Sequence, residues 1–159
     1  MTQHKISGVG LKVISFFLIA GGAIGVALSI FGAAFILNKS VLSAFQSIFI
    51  FGGVAFFAIY QGLKIWQGKP ESLKWGAILF AMQILSFAYA GASYTFHTLF
   101  KLALVINAFG ATISTRFGTS LNAALNSPEP NYIGINIFAI FAFVYILVKI
   151  INFRKVAGK

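Results

Sequence analysis

The sequence predicts an all-α integral membrane protein: a four-transmembrane-helix bundle with a small extracytoplasmic β-ribbon between its third and fourth helices. Three observations predict it. Of 159 residues, 59% are hydrophobic and 9% are charged, whereas a soluble domain carries charge on about a quarter of its residues. Only two residues are acidic, Glu71 and Glu129. The charges also divide the chain into long uncharged runs: 26 residues between Lys12 and Lys39, 24 between Lys39 and Lys64, 26 between Lys74 and Lys101, and 18 between Pro130 and Lys149. A helix needs about 20 apolar residues, at ~1.5 Å of rise each, to cross ~30 Å of hydrocarbon. The chain therefore reads as one membrane domain, 1–159, with spans near 11–37, 41–67, 73–92 and 133–151.

The first apolar run is about 25 residues long. A secretory signal has an apolar core of about 7–15 residues, so this run reads as an uncleaved span. Gly21, Gly25 and Ser29 recur every fourth residue along it. Small residues at that spacing let helix backbones approach closely in lipid. The second span repeats the pattern with Ala58 and Gly62.

The segment WQGKPESLKW then reads as a tight turn. Gly68 ends a helix, Pro70 suits the first position of the next, and Glu71 suits its first turn. Trp66 and Trp75 flank the turn as interface anchors, since indole rings favour the headgroup zone. Lys64, Lys69 and Lys74 complete the anchor by snorkelling to anionic lipid. The third span carries one amide, Gln83, expected to bond a neighbouring helix.

Residues 94–130 are expected to leave the membrane as a loop. Over 112–122, polar residues such as Thr112, Ser114 and Arg116 alternate with Ile113, Thr115 and Phe117. Before them, Phe100, Leu102, Leu104 and Ile106 alternate with a face holding His97, Lys101 and Asn107. Period two with aromatics and Thr is a strand signal. The competing reading is an interfacial amphipathic helix, because Phe109, Ile113, Phe117 and Leu121 also fit a spacing of four. The turn SPEP at 127–130 precedes the fourth span, near whose start Asn136 is expected to cap or bond between helices.

Lys and Arg counts set the orientation. Lys5, Lys12, Lys64, Lys69, Lys74, Lys149, Arg154, Lys155 and Lys159 fall on one side, against Lys39, Lys101 and Arg116 on the other. The positive-inside rule then places both termini in the cytoplasm of a cell membrane, of the bacterial inner-membrane type. Spread along the chain in this way, the basic residues do not form a nucleic-acid patch, and no nucleic-acid partner is expected.

Chemistry is sparse. With no cysteine and no aspartate, thiolate sites and neighbouring carboxylate pairs are excluded. No catalytic, metal or cofactor site is expected, and the chain does not read as an enzyme. None of the four spans carries an ionisable residue at its middle, which argues against an ion-coupled carrier. The expected role is that of a structural, accessory or interaction subunit, with membrane lipids and a membrane-protein partner or second copy as its partners. Recognition is expected through 94–126, where His97, Lys101 and Arg116 are the candidate contacts for a phosphate or acidic partner. The alternative is an oligomeric channel or small-solute transporter.

Overall fold

The computed structural model describes residues 8–37, 40–125 and 128–157. Lys5, Lys39, Ser127 and Lys159, used above for topology and the turn, lie outside them. Helix α1 is Val9–Leu37, 29 residues without a break. The return arm is α2 (Val41–Gln46), a π-helical segment Ser47–Gly52, and α3 (Gly53–Trp66). A glycine cap ends it: Gly68 takes φ +78°, its N–H bonds Ile65 O at 2.9 Å, and Lys69 N bonds Lys64 O at 3.0 Å. These are the two crossed bonds of a Schellman cap. Helix α4 is Glu71–Ile84, and α5 is Ile137–Ala157.

Between α4 and α5 lies a six-stranded antiparallel sheet, where a simple ribbon was expected. Its strands are β1 (Leu85–Tyr89), β2 (Ala92–His97), β3 (Phe100–Asn107), β4 (Gly110–Phe117), β5 (Ser120–Ala124) and β6 (Tyr132–Asn136). Their order is β4-β3-β6-β1-β2-β5. The protein is therefore not an all-α bundle. Within 109–125, Gly110–Phe117 and Ser120–Ala124 are strands, and no amphipathic helix forms.

Three helical stretches, Val9–Leu37, Ile48–Trp66 and Ile137–Lys155, are long and apolar enough to cross a membrane. This corrects the expectation of four spans. The third expected span, 73–92, breaks after Ile84; with 14 residues, α4 rises only ~21 Å. From Leu85 the chain alternates large and small, Leu85-Ser86-Phe87-Ala88-Tyr89, which suits a pleated strand. The fourth expected span, 133–151, begins at Ile137 instead, because Tyr132–Asn136 is the strand that joins β1 to β3. Asn136 then caps α5: its Oδ1 accepts from Ala139 N at 3.3 Å.

The connections force the sheet to curl. Strands β4 and β5 are opposite edges, five strand spacings apart, which is ~24 Å in a flat sheet. Only Gly118 and Thr119 join them, and three Cα steps span at most ~11 Å. The two-residue link Thr98–Leu99 likewise joins β2 to β3, three spacings apart. The sheet is therefore an incompletely closed barrel, its edges brought together at the base.

The curl sorts side chains by size and polarity. Ser86, Ala88, Ser93, Ala103, Gly134 and Asn136 face inward and are buried. Gly134 needs its missing side chain, since a Cβ there would meet Ser86 Oγ at 2.6 Å. Phe117, Ile113, Ile133 and Leu85 face outward and are exposed. Below the sheet, Leu18, Ala58, Leu73, Phe80, Ala139 and Ile146 form the core shared by α1, α3, α4 and α5.

Candidate functional site

The inward face of the sheet lines a cavity of about 420 Å³. Its wall includes Thr95, Lys101, Ser114, Arg116, Asn122 and Tyr132, with Glu129 on the β5–β6 connection. Strand register explains the gathering. Lys101 on β3 and Arg116 on β4 are directly opposite, so their side chains leave the sheet on the same face. Phe100, Leu102 and Leu104 alternate with them onto the other face.

Lys101 is 6% exposed, and its Nζ donates to Ser86 Oγ at 2.9 Å. Ser86 Oγ in turn donates to Gly134 O at 3.4 Å. The hydroxyls of Thr95 and Tyr132 bond each other at 3.0 Å across the cavity wall. His97, 3% exposed, shares the inward face opposite Ser120.

Three buried polar atoms of this face have no hydrogen-bond partner: Ser93 Oγ, His97 Nδ1 and Asn136 Nδ2. Leaving such a group unsatisfied costs about 1–3 kcal/mol. These three share the sheet face of Lys101 and Arg116, but their residues do not line the cavity. Among the described residues, no three His, Asp or Glu side chains gather to hold a metal.

The candidate partner contacts His97, Lys101 and Arg116 are thus brought to one face. Sequence reasoning missed Ser86, Ser93 and Tyr132, which lie in segments read as membrane helix or its border. For Ser86 the signal was the alternation of large and small residues through 85–89.

The small residues sit at close approaches, Gly21 against the sheet and Gly25 against both a helix and the sheet. A Cβ on Gly21 would meet Thr98 Cβ at 2.7 Å, and one on Gly25 would meet Ala55 Cβ at 2.8 Å and Thr119 Cγ2 at 3.1 Å. Gly62 lies against Leu18 and Ile19, and Ser29 against Gly52. Ala58 is fully buried. At the other end of the molecule, Trp66 and Trp75 are half exposed. Lys12 lies 5.9 Å from the centre of the Trp66 ring, and Lys64 lies 4.2 Å from that of Tyr60. Lys69 and Lys74 are exposed beside them.

Comparison with protein-family models, with curated proteins and with solved structures gives no match.

Proposed function

We propose that the protein is a small multi-pass cell-membrane protein that works by recognition rather than catalysis, as an accessory or interaction subunit. Its recognition site is the concave cavity of the sheet, which takes an anionic group of a partner. The Lys101–Arg116 pair carries the reading. Like charges directly opposite on adjacent strands destabilise a sheet, and an anion between them reverses the sign. The Arg116 guanidinium matches carboxylate or phosphate geometry bidentately. Glu129 shares the cavity, so the lining keeps one net positive charge from Lys101 and Arg116.

The test is purification in mild detergent, with bound protein and lipid identified by mass spectrometry. Arg116→Gln and Lys101→Met should each lower the retained anionic partner about tenfold or more, because a hydrogen bond to a charged group is worth ~1.5–3 kcal/mol. Lys101→Met should keep its thermal midpoint, since an apolar replacement of a buried charge is often neutral or stabilising. Undiminished partner in both variants overturns the reading. A symmetric homo-oligomer around a water-lined axis favours a channel instead.

We also propose that both termini face the cytoplasm. The start of α1 and the end of α5 share one end of the molecule, with Lys149 Nζ 3.9 Å from the Cβ position of Gly8. The basic residues collect at that end. A reporter active only in the cytoplasm should give signal at Lys159 and none after Leu125; the opposite result reverses the orientation.

A further inference from the structure

We infer that the convex face of the sheet is a lipid-facing surface: acyl chains of the leaflet opposite Trp66 and Trp75 cover it, and the base of the sheet stands within the bilayer. The inference rests on the chain being a membrane protein, and it places an element that the three long helices leave unplaced. Three independent observations carry it.

The first is depth. Lys12 against Trp66 marks one membrane interface. Gly21, nine residues further along α1, lies ~14 Å from that level. There the sheet begins: Thr119 Oγ1 donates to Gly21 O at 2.6 Å, and Thr98 fills the space above the glycine. The hydrocarbon layer is ~30 Å thick, so the base of the sheet lies near its middle. Beyond Gly21, α1 runs another ~24 Å to Leu37, with Leu28, Ile30, Phe31 and Phe35 exposed. That half of α1 needs lipid as much as the first half does, and the sheet rises beside it.

The second observation is the surface itself. Phe117 is 83% exposed and Ile113 73%, and every Lys, Arg and His of the sheet lies on the concave face. Apolar outside and polar inside is the pattern of strands that face lipid.

The third is the backbone at the base. Irregular chain at membrane depth is tolerated only where its polar groups are satisfied within the protein. Here Thr98 N donates to Gln83 Oε1 at 3.0 Å and Leu99 N to Thr119 Oγ1 at 3.4 Å. Phe100 N donates to Thr98 O at 2.7 Å and Gly118 N to Leu99 O at 2.8 Å.

The chain has no cysteine, so single cysteines report cleanly. Phe31→Cys, Phe109→Cys, Ile113→Cys, Ser114→Cys and Phe117→Cys would each carry a nitroxide in phosphatidylcholine vesicles. Accessibility to oxygen is then compared with accessibility to a water-soluble nickel complex. The expected oxygen-to-nickel ratio at 113 and 117 matches that at 31, falls severalfold from 117 to 109, and is low at 114. Nickel-dominated access at 113 and 117, with oxygen-dominated access at 31, overturns the inference while leaving the membrane reading intact. Nickel-dominated access at 31 as well removes the membrane reading beneath it. Dipolar broadening at 117 would show a second copy on the face and would also overturn it. Positions 31, 109, 113 and 117 are exposed and Ser114 lines the cavity, so none of the changes enters the core, and an unchanged thermal midpoint verifies that each variant is folded.

Discussion

Replacing Gly21 with leucine is expected to unseat the sheet from the helices and to cause a large loss of stability. The atoms that a Cβ would meet include Leu99 N at 2.8 Å and Thr98 C at 2.9 Å. These are backbone atoms of the β2–β3 link, which cannot rotate aside as a side chain can. That link is held from two directions, by Gln83 and by Thr119. Overpacking a fitted site costs about 1–3 kcal/mol, and a leucine against fixed backbone lies at or above the upper end. Gly53→Leu is the control, because nothing lies within 4 Å of its Cβ position. Thermal unfolding in detergent should show a large drop for Gly21→Leu and little change for Gly53→Leu. Equal midpoints would mean that the close contact does not exist.

Gln83→Leu is expected to be almost as damaging, through polar rather than steric loss. Gln83 is 1% exposed. Its Oε1 accepts from Thr98 N at 3.0 Å and from Thr98 Oγ1 at 3.2 Å, and its Nε2 donates to Leu79 O at 3.2 Å. A leucine fills similar space but orphans the Thr98 N–H and hydroxyl. At about 1–3 kcal/mol for each unsatisfied group, the total is several kcal/mol. Thr98→Val removes the hydroxyl, so the double variant should lose less than the sum of the two single changes. Strict additivity would show that the two side chains do not share an interaction.

Gln83 also shows where sequence reasoning stopped. One amide in an apolar run was read as a bond between helices, and its partner is instead a turn of the sheet. The long arms α1 and α2–α3 were legible because no charge interrupts 13–38 or 40–63. Strands β3 and β4 were legible as alternation, because Lys101, Arg116, Ser114 and Thr112 stand out between apolar neighbours. Strands β1 and β6 were not. Ser86, Ala88 and Gly134 are small residues at inward positions of these strands, and they leave the period of two without the charged markers that show it in β3 and β4. A continuous apolar run does not distinguish a buried strand from a helix, and 85–89 and 132–136 were absorbed into the helices beside them. The candidate site suffered the same way: its two cations were legible, but their direct opposition depends on a register that only the six-stranded sheet fixes.

The position of β6 has a consequence for how the chain is made. It is the last strand in sequence, yet it lies at the centre of the sheet between β1 and β3. Until it emerges, β1, β2 and β5 form one patch and β3 and β4 another, with no ladder joining them. Pairings such as Ser86 with Gly134 and Ala103 with Asn136 span long stretches of chain, and such closures are slow. During synthesis the two patches must therefore wait, unjoined, until Tyr132–Asn136 arrives with the start of α5. Biogenesis would then end in a single locking step, in which insertion of the final helix and closure of the barrel coincide.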